Sequence, residues 1–303
     1  MENSAWPQLP LEAWQDTYAT LHMWTQIVGK IRMTLTPLVN HWWNVTLYVT
    51  ARGLTTSPIP YQAGSFEIRF DFIDHKLVVE TSEGAVRTLD LRPRTVADFY
   101  RELMNTLASL AIDVKIHAHP DEVANPIPFA EDVTHASYDE EYAHRFWRIL
   151  VSVDQVFKEF RGGFIGKCSP VHFYWGSFDL AVTRFSGRRA PDRADPIQRE
   201  AYSHEVISAG FWPGGGGIQP AFYSYTAPEP PGLKTCSIRP SAALYHAGMS
   251  EFILPYEAVR GAQSPESELM EFLQSTYEAG ANLARWDRAA LERSPGNAAR
   301  VGG

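Results

Sequence analysis

The chain has 303 residues, of which 45% are hydrophobic and 20% charged, a globular composition with room for one large domain or two ordinary ones. The net charge of −8 argues against a nucleic-acid backbone as partner, and no apolar run reaches the length of a membrane span. With only two cysteines and no apolar leader after the N-terminus, the sequence predicts a cytoplasmic protein.

The first part of the chain predicts a helix, an antiparallel sheet and a second helix. Apolar residues recur at spacings of three and four over residues 11–36, and Pro37 ends that helix. A second helix begins at Thr95, where Asp98 is in a capping position. Strand-like runs occupy residues 41–51, 65–72, 75–81, 85–91 and 114–117.

Polar residues recur every four positions along the first predicted helix. Tyr18, His22, Gln26 and Lys30 drift off its apolar face. One interpretation is a polar stripe that enters a pocket, and the other is a solvated flank. Since surface positions are usually polar, we expect the solvated flank.

The second part repeats the pattern of helix, strands and helix after an irregular, proline-containing connector. A capping box at residues 137–140 starts a helix that stops at Gly162. Pro265 occupies the favoured first position of the last helix. Strands are predicted at residues 171–175, 180–185, 201–211, 221–226 and 252–254, with an exposed loop at 186–197 and a glycine loop after Trp212.

These elements predict an α+β fold in which antiparallel sheets pack with helices, and their order suggests two similar helix–sheet–helix halves. The boundaries that follow from the pattern place one half at residues 1–118, a connector at 119–136 and the second half at 137–292. Residues 293–303 are rich in small residues and predict a disordered tail.

The stretch from Lys167 to Gly187 is the most informative one for function. Two apolar, aromatic runs flank Gly176 and Ser177, which is typical of a β-hairpin. His172, Asp179 and Arg184 interrupt these apolar runs. Because polar groups are costly inside a packed sheet unless they are paired or used, the hairpin is the leading candidate for a site.

Histidines and a carboxylate near this hairpin suggest metal-assisted or acid–base chemistry. His172 and Glu205 are the candidate catalytic residues, and His172, His204 and His41 are candidate ligands for a divalent metal such as zinc or iron. His204 and Glu205 are adjacent, so a regular strand points them to opposite faces. The alternative is that these histidines are core residues hydrogen-bonded to backbone or carboxylate, since no compact metal-binding spacing occurs.

Other side chains suggest how a ligand would be held. Arg184 and Asp179 are candidates for contacting a polar ligand, and Arg184 for clamping its carboxylate or phosphate. Trp43, Trp175 and Trp212 are candidates for lining a pocket, with the glycine loop beside Trp212 as a lid. The alternative is an ion pair for the arginine and ordinary core positions for the rings. A thiol nucleophile at Cys168 is a weaker hypothesis, because isolated cysteines are usually structural.

Several runs resemble a bacterial family of proteins known as a domain of unknown function, DUF5996. They are WPQLP at 6–10, NHWW at 40–43, SPVHF at 169–173, WGSFDL at 175–180, TRFSGR at 183–188 and YSHE at 202–205. The resemblance covers nearly the whole chain and implies a bacterial soluble protein made of this one unit. It implies no activity, cofactor or substrate.

Three functional hypotheses follow. The first is an enzyme that acts on a small polar molecule through the histidine and carboxylate site. The second is a non-catalytic module that binds a small molecule in the same place, and the third is a structural or interaction protein with an aromatic surface. We expect a small-molecule ligand as the partner, and neither nucleic acid nor a membrane. The sequence identifies no cofactor, and a divalent metal such as zinc or iron is the candidate.

Overall fold

The computed structural model describes residues 5–293 and divides them into two compact units. The N-terminal unit comprises residues 9–151 and 172–179, and the C-terminal unit comprises residues 5–8, 152–171 and 180–293. The predicted connector at 119–136 lies inside the N-terminal unit. Most of the predicted tail, residues 294–303, lies outside the described residues.

Seven α-helices and twelve strands make up the described residues. The helices are α1 (Leu11–Leu35), α2 (Val96–Ser109), α3 (Glu140–Gly162), α4 (Pro196–Ala201), α5 (Tyr256–Arg260), α6 (Pro265–Leu283) and α7 (Arg288–Leu291). The strands are β1 (Tyr48–Val49), β2 (Gly53–Thr55), β3 (Ile59–Tyr61), β4 (Gly64–Asp71), β5 (Lys76–Thr81), β6 (Val86–Asp90), β7 (His172–Tyr174), β8 (Asp179–Arg189), β9 (His204–Trp212), β10 (Ala221–Ala227), β11 (Leu244–His246) and β12 (Glu251–Pro255).

All sheet pairing in the two units is antiparallel, which confirms the α+β class. In the N-terminal unit the strand order is β1-β2-β4-β5-β6, and β3 also pairs with β4. In the C-terminal unit it is β11-β12-β10-β9-β8. The predicted strands at residues 65–72, 75–81 and 85–91 are β4, β5 and β6, which pair in that order.

The four long helices follow the predicted spacing of apolar residues. In α1 the apolar stripe is buried, with Trp14, Trp24 and Ile31 among its members. The Thr95 side chain accepts a hydrogen bond from the Asp98 amide, as the capping pattern predicts for α2. In α3 the predicted box begins two residues too early, since Asp139 caps the Tyr142 amide at 3.0 Å.

Both halves of the predicted hairpin form strands. The antiparallel pairing extends beyond the predicted run, because Cys168 lies opposite Arg184 and the Ser169 amide donates to the Thr183 carbonyl at 2.8 Å. β8 continues through Arg189, so the first residues of the predicted loop at 186–197 are strand and its last residues begin α4.

Two predicted strands differ from the structure. Of residues 41–51 only Tyr48–Val49 form a strand, whereas Asn40–Trp42 form a 3₁₀ turn, because consecutive left-handed residues interrupt the extended backbone there. Residues 114–117 belong to no strand, since within the described range no neighbouring strand pairs with them. In residues 5–293 no helix combines the length and apolarity needed to cross a membrane.

Candidate functional site

His172 lies on β7 with its side chain fully buried, and two tyrosines meet its ring. Tyr174 is two residues along the same strand, so strand geometry directs both side chains to one face. The two rings are perpendicular with centroids 5.7 Å apart, and the Tyr174 hydroxyl is 3.4 Å from His172 Nδ1. One nitrogen of the imidazole therefore faces a phenol on its own strand.

The other imidazole nitrogen faces Tyr48. Leu47 and Phe173 exchange two backbone hydrogen bonds of 2.9 Å, and the register of that bridge places Tyr48 opposite His172. The Tyr48 hydroxyl is 3.5 Å from His172 Nε2. A neutral imidazole has one N–H donor and one acceptor, so one phenol donates to the ring and the other accepts from it. Both distances exceed the usual hydrogen-bond range, so the contacts are loose.

A turn before β1 brings Trp43 and His41 to this group. The Trp43 ring lies 5.8 Å from the His172 ring in an edge-on arrangement, and the buried His41 ring lies 5.4 Å from Trp43. The Asn44 side chain stabilises the turn, since its Oδ1 accepts from the Val39 amide at 3.2 Å.

The backbone of this turn is strained. His41 has φ 60° and Trp42 has φ 61°, a conformation that side-chain-bearing residues rarely adopt. Each such residue costs about 1–3 kcal/mol, and strain of this kind clusters at functional sites. The two strained residues immediately precede Trp43, which contacts His172.

Arg32, on the last turn of α1, reaches the same group. Its guanidinium carbon lies 5.7 Å from the centre of the Tyr48 ring, and its side chain is buried. Burial lowers the pKa of Arg32 from its ordinary value, and the interaction with Tyr48 opposes that shift.

We call Arg32, His41, Trp43, Tyr48, His172 and Tyr174 the His172 site. All six belong to the N-terminal unit. His172, His41 and Arg32 are buried, whereas the rings of the two tyrosines and the tryptophan are half-buried. The site therefore combines a buried polar base with aromatic rings that reach the surface of the unit.

Arg184 has a different environment from the one expected. It is 3% exposed, which confirms that the side chain is buried. Its guanidinium carbon lies 3.4, 4.3 and 5.0 Å from the ring centres of Phe160, Tyr277 and Phe164, and its Nη2 donates to the Phe160 carbonyl. Burial lowers the pKa of Arg184 to about 10.

Three aromatic faces stabilise the Arg184 cation within the protein. No carboxylate of residues 5–293 forms an ion pair with it within 4 Å. The role of Arg184 as a clamp for the carboxylate or phosphate of a ligand stays a prediction.

Asp179 and Trp175 are held by the protein at the turn between β7 and β8. Asp179 is buried, and its Oδ1 accepts a hydrogen bond of 2.5 Å from the Ser177 hydroxyl. The Trp175 indole N–H donates to the Val45 carbonyl at 2.7 Å, and the ring packs directly on Gly29. Trp175 is therefore a core residue of the N-terminal unit.

Glu205 and His204 lie at the start of β9. Glu205 Oε2 accepts from Arg188 Nη2 at 2.7 Å and from the Ser186 hydroxyl at 2.9 Å. His204 Nδ1 is 3.1 Å from the Ser203 hydroxyl, and burial together with Lys167 lowers its pKa. A catalytic role for Glu205 stays a prediction.

The predicted metal ligands are distributed over both units. His41 and His172 belong to the N-terminal unit, and His204 belongs to the C-terminal unit. Within residues 5–293, no group of three or more histidine, cysteine, aspartate or glutamate side chains is placed to hold a metal ion. The arrangement thus gives no support to a metal at these histidines.

The glycines that follow Trp212 form a closed turn. Gly215 and Ile218 exchange two backbone hydrogen bonds of 3.0 Å, and Gly216 and Gly217 between them have positive φ. Trp212 itself is half-buried at the end of β9. The expected lid over a pocket stays a prediction.

Comparison with protein-family models gives a match over nearly the whole chain. The family that matches is described as a family of unknown function, DUF5996, and the match covers residues 6–293. The chain belongs to the DUF5996 family. The resemblance seen in the sequence is thereby confirmed, and no curated protein or solved structure matches.

Sequence reasoning missed three members of the His172 site in this DUF5996 chain. Tyr174 was detectable, because it shares a strand face with His172. Tyr48 was not detectable, because the sequence does not show the bridge between residues 47 and 173. Arg32 was not detectable either, because the sequence does not show that the end of α1 lies beside Tyr48.

The expected solvated flank of α1 is also wrong. His22, Gln26 and Lys30 are buried, and Gln26 exchanges hydrogen bonds of 2.8 and 2.7 Å with the Asp121 backbone. Lys30 Nζ lies 2.5 Å from Asp121 Oδ2, and His22 Nε2 lies 2.7 Å from the Gly176 carbonyl. Burial lowers the pKa of His22 to about 4. The stripe therefore anchors the predicted connector to α1.

The pKa of the Cys168 thiol is shifted in the opposite direction from that of an activated thiol. Burial raises its pKa to about 11, and the nearby Arg184 and Arg161 reduce that shift without reversing it. A nucleophilic cysteine needs a lowered pKa, so the geometry favours a structural role.

Proposed function

We propose that the chain is a small-molecule binding protein whose ligand occupies the His172 site. The observation that supports it is the combination of half-buried Trp43, Tyr48 and Tyr174 rings with the buried His172 imidazole. Ligand sites typically pair aromatic walls with a few polar groups that fix orientation.

The loose contacts around His172 suit an incoming ligand. The phenol–imidazole distances of 3.4 and 3.5 Å are longer than the usual hydrogen-bond range, so a ligand that bonds to these groups displaces weak contacts. The aromatic faces favour a planar ring, because aromatic groups pack edge-to-face or offset-stacked. The ligand class is therefore a small planar molecule with at least one hydrogen-bonding group.

Acid–base catalysis at the same site is the second candidate. It is favoured by the position of one imidazole between two phenol hydroxyls, an arrangement that passes a proton from one oxygen to the other. A bound compound recovered chemically unchanged supports the binding protein, whereas turnover supports the enzyme.

The test is ligand-observed NMR with benzamide, phenol and benzoate as probes. We expect at least one probe to bind at millimolar concentration or better, and binding to be lost in His172→Gln. Trp43→Ala gives a second variant at a half-buried position. The control is His204→Gln, a histidine of the C-terminal unit, which should leave binding unchanged.

Two results would overturn the proposal. One is that none of the three probes binds the wild-type chain. The other is that a bound probe is unaffected by both His172→Gln and Trp43→Ala while the variants remain folded by circular dichroism.

A further inference from the structure

Arg32 carries a buried charge with few compensating groups. Its side chain is 8% exposed. Within residues 5–293, Nη1 donates to the Thr56 carbonyl, Nε has no hydrogen-bond partner, and the guanidinium forms no ion pair within 4 Å. The Tyr48 ring, whose centre lies 5.7 Å from the guanidinium carbon, also stabilises the charge.

The side chains of two other arginines are also buried, and protein groups compensate the charge of each. Arg94, also in the N-terminal unit, is 6% exposed and forms an ion pair with Glu102. Arg184 is surrounded by three aromatic rings, the nearest 3.4 Å away. Among the described residues, Arg32 has one ring at 5.7 Å and no carboxylate within 4 Å, so its charge is the least compensated of the three.

The end of α1 offsets only part of this deficit. Arg32 lies in the last turn, where the helix dipole places roughly half a negative elementary charge. That partial charge is shared among the terminal carbonyl groups and falls off within one turn. A full counter-charge must come from elsewhere, because a buried cation without a partner is strongly disfavoured.

We infer that the ligand of the His172 site carries a carboxylate, which pairs with Arg32. This inference rests on the proposed function, since it assigns a chemical class to the same ligand. The guanidinium is a planar fork that fits a carboxylate with two parallel hydrogen bonds, and its unpartnered Nε–H is one of the available donors. The neighbouring Trp43 and Tyr48 rings then select a carboxylate attached to a planar body.

The experiment compares benzoate with benzamide, which has nearly the same shape but no charge. Isothermal titration at low ionic strength should show benzoate binding at least about tenfold more tightly, with the difference shrinking as salt is added. Arg32→Met should weaken benzoate by about tenfold or more, to the level of benzamide, and should weaken benzamide much less.

Two variants serve as controls. Arg94→Met removes another buried arginine of the same unit and should leave both affinities unchanged. Arg32→Lys keeps the charge but not the fork, so it should retain only part of the preference for benzoate. This variant also serves if Arg32→Met does not fold.

Each outcome is informative. If benzoate and benzamide bind equally well, the carboxylate inference is refuted while the proposed function stands. If inorganic phosphate displaces benzoate as effectively as a second carboxylate does, the assignment to carboxylates is refuted. If neither aromatic compound binds the wild-type chain, the proposed function fails, and the inference fails with it.

Discussion

Gly29 in the middle of α1 provides the sharpest test of the packing. Replacing glycine by alanine inside a helix normally stabilises it by about 1 kcal/mol. At Gly29, however, an added Cβ would overlap the Cδ1, Nε1 and Cγ atoms of Trp175. That indole is buried, and its N–H donates to the Val45 carbonyl at 2.7 Å. The methyl group therefore requires the ring to move.

The magnitude follows from three contributions. Overpacking costs about 1–3 kcal/mol, and loss of the indole hydrogen bond adds about 1 kcal/mol. The helix propensity of alanine returns about 1 kcal/mol. We therefore expect Gly29→Ala to lower the free energy of unfolding by about 1–3 kcal/mol, the reverse of what helix propensity alone predicts.

Urea denaturation followed by circular dichroism measures this effect. Gly162→Ala is the matched control, because no atom lies within 4 Å of an added Cβ at that end of α3, and it should be neutral or slightly stabilising. In a Trp175→Leu background the cost of Gly29→Ala should fall below about 1 kcal/mol, since the shorter side chain leaves space. A stabilising Gly29→Ala, or the same cost in both backgrounds, would refute the packing described.

Three further predictions concern buried polar groups. In urea titrations, Arg184→Met should change the free energy of unfolding by less than about 2 kcal/mol. Arg184→Ala should lower it by about 3–5 kcal/mol, because the shorter side chain leaves a cavity. Equal losses in the two variants would contradict the enclosure of Arg184 by aromatic rings. Since burial lowers the pKa of His22 to about 4 while the unfolded imidazole titrates near 6.5, unfolding takes up a proton between these values. Stability should therefore fall as the pH drops from 6.5 to 4, by at most about 3 kcal/mol, and His22→Gln should lose less in the same titration; parallel curves would contradict this. Because burial raises the pKa of Cys168 to about 11, iodoacetamide at pH 8 should label Cys236 first, and equal labelling rates by peptide mass spectrometry would speak against a buried thiol.

Helix positions were predictable from the sequence because each long helix has a regular stripe of apolar residues that it buries. Trp14, Trp24 and Ile31 mark that stripe in α1, and the Thr95 cap marks the start of α2. The turn at His41 was not predictable, since its residues have strand-like composition. Its conformation depends on the hydrogen bond from the Val39 amide to the Asn44 side chain, which residue-by-residue strand propensity does not contain.

The polar stripe of α1 also depends on a contact that the sequence does not reveal. Periodicity detected His22, Gln26 and Lys30 as a separate face, but it did not reveal what covers that face. The covering segment begins at Asp121, about ninety residues further along the chain. A polar face is usually solvated, so the general expectation fails where a distant loop supplies hydrogen-bond partners.

The buried arginines differ in how their charges are compensated, and this difference is the argument for a ligand at Arg32. Arg32, Arg94 and Arg184 all have a buried Nε without a hydrogen-bond partner, so that feature does not single out a ligand site. The compensation of charge differs: Glu102 supplies it for Arg94 and three rings supply it for Arg184. The sequence suggested Arg184 as the residue that clamps a ligand's carboxylate or phosphate, because this arginine lies inside an apolar run. We propose Arg32 for that contact instead, since a counter-charge stabilises the protein most where a buried charge is least compensated.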